Sequence, residues 1–382
     1  MGMRKFVDKI KPTFTKGGKL GFLESTFDAF ETFLFVPNTT TARGAHIRDC
    51  NDMKRTMSMV ILALIPALLF GMYNVGYQHA LAFGEDVSDF GALFGYGFLK
   101  VLPLIIVSYV VGLGIEFAFA QIRGHEVNEG FLVSGLLIPM IMPVDVPLWM
   151  VALGTAFAVI FGKEVFGGTG MNVFNPALLA RAFVFFAYTP YMSGAEVWIS
   201  GMTKGEGLVE GFSGATALEH LANEGSIGFS VSDAFLGFIP GSIGETSTLA
   251  ILIGAAILLF VGVASWRTMV SVFVGGLAMG YLFQILGVTE YPAWHHLIIG
   301  GFAFGAVFMA TDPVTSSQTN AGKYIVGFMT GAIAILLRVI NPAYPEGMML
   351  AIIFMNALTP LVDYYVVERN IKRRQNRVKL AK

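Results

Sequence analysis

The sequence predicts an all-α polytopic membrane protein: about ten transmembrane helices, arranged as two inverted five-helix repeats with short half-helices. Three observations predict it. The 382 residues are 55% hydrophobic and 13% charged, with a mean hydropathy of +0.67, against about 25% charged in a soluble chain. Apolar runs recur along the chain and are separated by polar loops. The two halves of the chain also share short motifs at matching spacing.

Residues 1–55 read as a polar arm, basic at Arg4, Lys5, Lys9, Lys11, Lys16, Lys19, Arg43 and Arg48. No apolar core precedes Met57, so the arm does not have the form of a cleavable signal peptide. Within it, Phe22, Leu23, Phe27, Phe30, Phe33 and Leu34 recur at helical spacing. Such a face docks on the bundle or lies in the membrane surface among lipids. Then come ten apolar segments: Met57–Tyr73, Phe98–Gln121, Gly130–Met142, Leu148–Phe166, Pro176–Tyr188, Leu249–Ser265, Met269–Leu286, Leu297–Ala310, Tyr324–Val339 and Gly347–Val366. A full span takes about 20 apolar residues. Several of these are shorter and hold Gly, Pro or polar residues, the mark of interrupted spans around a central site. Neighbouring helices must shield them, because unpaired backbone cannot face lipid.

The halves echo each other. Val173-Phe-Asn175-Pro176-Ala177 answers Val339-Ile-Asn341-Pro342-Ala343, and Met142-Pro-Val-Asp145 answers Met309-Ala-Thr-Asp312. Asp145 to Asn175 is 175 − 145 = 30 positions, and Asp312 to Asn341 is 341 − 312 = 29. Five segments per half, an odd number, require the second copy to be inverted. The expected divisions are an amino arm (1–55), a first repeat (56–188), a polar loop (189–246), a second repeat (247–366) and a basic tail (367–382). Lys and Arg crowd the arm and the tail, so the positive-inside rule puts both termini in the cytoplasm. The loop has one basic residue, Lys204, among several acids, which puts it on the periplasmic face. Asn172, Asn175 and Asp312 then face the cytoplasm.

Net charge is −1, so nothing draws the chain toward nucleic acid. The single cysteine, Cys50, excludes an internal disulfide and a thiolate-held cluster, and no fixed structural metal is expected. Polar groups inside spans are costly and default to function. Here they are Glu116, Lys163, Glu164, Asn172, Asn175, Arg181, Asp312, Arg338 and Asp363. Glu116 and Asp363 offer oxygen ligands to Na⁺ or a proton; the plain alternative is an ion pair with Lys163, Arg181 or Arg338. The run Gly167-Gly168-Thr169-Gly170-Met171-Asn172 opens a half-span and suits the polar edge of a ligand, or is simply a re-entrant turn. It is not a dinucleotide fingerprint.

The polar loop holds Glu210-Gly-Phe-Ser213-Gly214-Ala215-Thr216-Ala-Leu. This resembles the flavinylation motif of the NqrB/RnfD family, whose pattern begins with aspartate where this chain keeps the charge with Glu210. Arg123-Gly-His-Glu-Val-Asn-Glu129-Gly130-Phe131, Lys163-Glu-Val-Phe-Gly-Gly-Thr-Gly-Met-Asn172-Val-Phe-Asn175-Pro-Ala-Leu and Met309-Ala-Thr-Asp312-Pro-Val resemble the same family. The long arm with His46-Ile-Arg-Asp49 resembles its NqrB branch, from Na⁺-translocating NADH:quinone oxidoreductases, more than its RnfD branch.

The resemblance implies FMN joined by a phosphoester to Thr216 through a separate flavin transferase, which makes this a phosphoryl-threonine. It implies a noncovalent riboflavin at Asn172, Asn175 and Asp312, and a quinone near Gly112, Glu129, Gly130 and Phe131. It also implies Na⁺ handling by Asp28, Glu116 and Asp363. The expected function is the membrane subunit of a redox-driven sodium pump, a translocase of the bacterial inner membrane. It would work with partner subunits of A, C, D, E and F type, with NADH oxidised on one of them. The rival readings are an Rnf-type subunit and a flavin-free small-solute channel. The purified protein separates flavoprotein from channel, because a channel is colourless and a flavoprotein is yellow.

Overall fold

The structure is a computed structural model and describes residues 2–15, 18, 21, 27, 31, 35, 43–44, 53–123, 130–204, 208–209, 212–341 and 347–380. Asp28, Glu129, Glu210, Cys50 and most of the predicted amphipathic stretch 20–35 lie outside the described residues.

Among the described residues all regular structure is helical. In chain order the helices are α1 (Gly2–Phe14), α2 (Met53–Phe83), α3 (Phe90–Arg123), α4 (Phe131–Met140), α5 (Leu148–Val159), α6 (Pro176–Ala187), α7 (Ala217–Glu224), α8 (Val231–Leu236), α9 (Thr248–Val261), α10 (Trp266–Ile285), α11 (His295–Ile298), α12 (Phe302–Phe304), α13 (Asn320–Ile340) and α14 (Gly347–Leu380). α5 runs on as a π turn, Ile160–Glu164, and α12 as another, Gly305–Met309. Each predicted apolar segment coincides with helix, but the lengths differ from expectation. α2 continues ten residues past Tyr73 to Phe83. α14 carries the basic tail on as helix to Leu380. The eighth segment is broken between Ile298 and Phe302.

Five helices, α2, α3, α10, α13 and α14, are long and apolar enough to cross a membrane. The shorter apolar helices α4, α6 and α9 sit among them. Large apolar side chains such as Phe260, Ile122 and Ile285 lie largely exposed. An aqueous surface would penalise such faces, and lipid would not. Glycine lets the long helices touch. A Cβ on Gly76 or Gly97 would strike the backbone of the facing helix in the α2–α3 pair, and one on Gly275 or Gly331 would do so in the α10–α13 pair. Association in lipid depends on this kind of close backbone packing.

Part of the packing pattern recurs in the two halves, although the extensive α2–α3 packing of the first has no comparable α9–α10 packing in the second. In the first half α3 packs on α4 and α5, and α5 on α6. In the second half α10 packs on α13 and on the π turn after α12, and α13 on α14. The halves meet where α2 packs on α9 and α6 on α14.

Helix ends are set locally. Asn175 caps α6 by accepting from the N–H groups of Ala177 (2.9 Å) and Leu178 (3.4 Å), with Pro176 at the first helical position. Thr319 caps α13 through Gly322 N, and Ser247 caps α9 through Ala250 N. The polar loop is anchored by Asp145, which accepts from Gly201 N at 2.7 Å and from Ser200 Oγ at 3.2 Å. Tyr96 joins this anchor by donating to Ser200 Oγ at 3.2 Å.

Candidate functional site

Two cavities, each with a few polar groups in a mostly apolar wall, lie at opposite ends of α9. Leu258, Val263 and Ala264 at its C-terminal end line one, and Thr246, just before its N-terminus, lines the other. At 1.5 Å rise per residue, the helix separates them by about 20 Å.

The first cavity holds Asn172, Asn175 and Asp312, the group expected to act together. It contains about 790 Å³ of atom-free space, its open mouth included. Residues far apart in sequence converge here: the start of α6 and the turn after Met309 line the same space. Gly167, Gly168 and Gly170 take φ of +122°, +95° and +91°, a region open to glycine. That backbone turns the chain so that Thr169, Asn172 and Asn175 all reach the wall. Asn175 spends its side-chain oxygen on the α6 cap, which leaves its N–H₂ for the cavity. Asn172 donates to Phe174 O at 3.1 Å, leaving its oxygen. Asp312 accepts from Thr315 Oγ1 at 2.9 Å and Val314 N at 3.2 Å, which fixes its carboxylate. Met57, Val60, Val133 and Phe308 supply apolar walls. The arrangement offers donors and acceptors at one edge and flat apolar surface elsewhere, which suits an aromatic heterocycle.

Gly130 lines this same cavity. Gly112 and Phe131, expected with it, are in direct contact: a Cβ on Gly112 would run into the Phe131 ring. Tyr109 holds the start of α4 by donating to Leu132 O at 2.5 Å. Three of the four residues matched to quinone are therefore contiguous with the Asn172–Asn175–Asp312 group, and the fourth, Glu129, lies outside the described residues.

Of the acidic residues matched to Na⁺, the two described, Glu116 and Asp363, are held by separate sets of partners. Glu116 is buried and forms an ion pair with Lys163, the alternative weighed from the sequence. Lys163 also lines the cavity and stands 6.0 Å from the Phe131 ring centroid. Asp363 is held instead by neutral donors. It accepts from Thr319 Oγ1 (2.5 Å), Ser317 Oγ (2.6 Å), Gln318 N (2.8 Å) and Thr319 N (3.2 Å), and so ties α14 to the start of α13. Asp28 lies outside the described residues.

The second cavity holds Thr216, with Trp198, Gly241, Ser242, Glu245, Gly300 and Gly301. Thr216 is half-buried and caps α7, its Oγ1 accepting from Glu219 N at 3.2 Å. The turn before it is closed by the Ser213 hydroxyl, which accepts from Ala215 N at 3.3 Å. Gly214 and Ala215 are buried beside it, and a Cβ on Gly214 would strike Ala195 O. The Thr216 hydroxyl thus sits on a tight turn at the mouth of a small cavity and at a helix N-terminus, where an anionic group is favoured.

Sequence reasoning missed Lys163 and Thr169 as cavity residues and Glu245 altogether. Lys163 stood among the intramembrane ions, so its signal was present. Glu245 looked like one more acid of the polar loop.

Long apolar helices with a cavity toward each end of α9 define the class: a multi-pass helical membrane protein. Within that class the chain belongs to the NQR2, RnfD, RnfE family, whose model matches residues 40–372. Relatives named as the B subunit of Na(+)-translocating NADH-quinone reductase are similar over nearly the full length. The one from Pseudomonas paraeruginosa is 47% identical, covering 98% of this chain and 99% of the relative. That from Chromohalobacter salexigens is 46% identical over 99% and 97%. That from Azotobacter vinelandii is 46% identical over 98% and 99%.

Proposed function

We propose that this chain is the B-type membrane subunit of a bacterial Na⁺-translocating NADH-quinone reductase. In this reading it carries FMN on Thr216, holds riboflavin at Asn172, Asn175 and Asp312, and meets quinone at Gly112, Glu129, Gly130 and Phe131. The observation that carries the reading is the placement of Thr216 and of the Asn172–Asn175–Asp312 group at the two ends of α9. The names of the near-full-length relatives support it.

The residues fit the two groups. Thr216 presents an oxygen at the start of α7, where the free N–H groups of the first turn face a phosphate. Trp198 beside it offers an aromatic face. In the other cavity the Asn175 amide donates, the Asn172 oxygen and Asp312 accept, and Val133 and Phe308 wall the rest. When bound, the two flavins supply electron carriage between a partner subunit and quinone.

The chain's own residues position and insulate. Thr216 fixes one group by a covalent bond, and the α6 cap fixes the amide that selects the other. Gly112 admits the buried Phe131 ring, next in sequence to Gly130 of the cavity wall. Glu116 and Lys163 bring a paired charge to the cavity edge. Na⁺ entering beside Glu116 must replace the lysine charge there, so ion entry and Lys163 compete for one carboxylate. Asp28 and Asp363 complete the acidic path in this reading.

The orientation follows the basic arm and tail: both termini in the cytoplasm and Thr216 in the periplasm. The partly matching packing of the two halves, with α2 on α9 and α6 on α14, supports ten inverted-repeat segments and the divisions at 55, 188, 246 and 366. Partner subunits of A, C, D, E and F type hold the NADH site, and a flavin transferase loads Thr216. Thr216→Ala, expressed with that transferase, is expected to lose the fluorescent flavin band on a denaturing gel. A band that persists in the variant contradicts the assignment.

A further inference from the structure

Beneath the Thr216 cavity lies a buried group of charges that flavin attachment, flavin binding and quinone binding leave unused. Arg181 of α6 donates through Nη1 to both carboxylate oxygens of Glu245, each at 3.1 Å. Arg338 of α13 donates to the carbonyls of His296 at 2.7 Å and Ile299 at 3.2 Å. Arg181 and Arg338 are 3% and 5% exposed. Together with Glu245 and Gly301 they line one small cavity, and Glu245 and Gly301 also line the Thr216 cavity. The two spaces therefore share a wall.

That wall is thin because it is glycine. A Cβ on Gly301 would sit 2.6 Å from Glu245 Oε1, and one on Gly300 would sit 3.3 Å from Arg338 Nη2. Gly300 has φ +59°, which favours glycine. The Gly300 Cβ would also strike Leu218, two residues past Thr216. Glu245 thus lines the cavity itself, while the Arg338 guanidinium reaches its underside against the Gly300 backbone.

Arginine keeps its charge in any protein environment. Charge held away from water acts across several ångströms with little screening. Each of the three side chains therefore contributes its own sign to the potential above the wall, whatever else it touches. The glycines keep that distance short, since a larger residue at 301 would collide with Glu245 and one at 300 would collide with Leu218 and crowd Arg338.

We propose that Arg181, Glu245 and Arg338 form a charge balance that sets how readily a group held on Thr216 takes up an electron. The proposal rests on the reading that Thr216 carries a flavin. Electrons gained from an external reductant add negative charge above the wall, and protons taken up from water offset part of it; the charge that remains is what the three residues act on. The arginines favour that added charge and Glu245 opposes it, so the three residues position the reduction potential and take no part in bond-making.

The test uses the full chain expressed with the flavin transferase. Its flavin absorbance is titrated with dithionite and mediators, with Thr216→Ala subtracted to isolate the covalent flavin. Arg338→Gln is expected to move the midpoint of that flavin to more negative potential, Arg338→Lys to leave it near the parent value, and Glu245→Gln to move it to more positive potential. Opposite signs for the two neutralising variants, with the gel band intact, are what a charge effect requires and a packing defect does not produce. If Glu245→Gln fails to accumulate, the contrast of Arg338→Gln with Arg338→Lys decides. Fully loaded variants whose midpoints do not move, or move together, overturn the proposal. A parent protein with no covalent band overturns the Thr216 reading itself, and the charge balance falls with it.

Discussion

The two cavities at the ends of α9 hold by different physics. The Asn175 cavity draws its polar groups from both halves of the chain, and each is already engaged in the fold: Asn175 as a helix cap, Asp312 within its turn, Lys163 with Glu116. The Thr216 cavity presents the Thr216 hydroxyl at the start of α7, with Glu245 in its wall and the arginines beneath, on the far side of Gly300 and Gly301. The first can select a ligand by many weak contacts that share residues with folding. In the proposed reading the second holds its group by one covalent bond, which leaves its surroundings free to adjust electrostatics. Variants of the first should mix binding with stability, and variants of the second should separate them.

Asn175→Asp gives the sharpest contrast. Aspartate caps as well as asparagine, but it removes the N–H₂ that faces the cavity. The expected result is loss of nearly all acid-extractable, noncovalent flavin from the purified chain and a lower melting temperature, because a second carboxylate is buried beside Asp312, with the covalent band unchanged. Asn175→Ala, which removes the cap too, should lose the same flavin and about 1 kcal/mol of stability. If both variants keep the flavin, the donor has been misplaced.

Glu116→Gln comes next. Removing one partner of a buried pair costs about 3 kcal/mol, because the other charge stays buried. Thermal unfolding in detergent should show it, and Na⁺ stimulation of quinone reduction by the assembled complex should fall. Lys163→Met together with Glu116→Gln should recover much of the stability without recovering the Na⁺ response. An unchanged Na⁺ dependence in Glu116→Gln removes this carboxylate from the ion path.

Asp363→Ala is expected to cost about 2 kcal/mol through loss of its charge-assisted hydrogen bonds. The loss should show as faster proteolysis or hydrogen exchange at 317–319, where its partners lie. Both cavities should keep their flavins. Loss of the noncovalent flavin in this variant would mean that the 313–319 turn couples Asp363 to Asp312 more tightly than the contacts indicate.

Much of this layout was legible in the sequence, for identifiable reasons. Apolar runs mark helices in lipid because nothing else satisfies the backbone there. Asn175-Pro176 names a helix start by its own chemistry, and Asp312 was found through its echo of Asp145. Other features depend on contacts across long separations. Glu245 meets Arg181 from 64 positions away, and no local pattern distinguishes it from the other loop acids. The extension of α2 to Phe83 was hidden by Asn74, Gln78 and His79, polar residues that read as loop. The structure buries Asn74 and Gln78, and Asn74 donates to Ile239 O at 2.9 Å. His79 Nδ1 lies 2.7 Å from Ser200 O. The helix Gly2–Phe14 went unseen because its basic residues and Pro12 outweigh its apolar spacing. The break at 299–301 is visible only once Gly300 and Gly301 are seen to face charges.

The central claim is that one chain carries one tethered and one untethered flavin at the two ends of α9. Mass spectrometry of the purified chain tests it most directly, first under native conditions and then denatured. The account predicts FMN and riboflavin masses together in the native spectrum, and in the denatured spectrum FMN alone, attached to the peptide that contains Thr216. A colourless protein at its bare sequence mass in both spectra would contradict it.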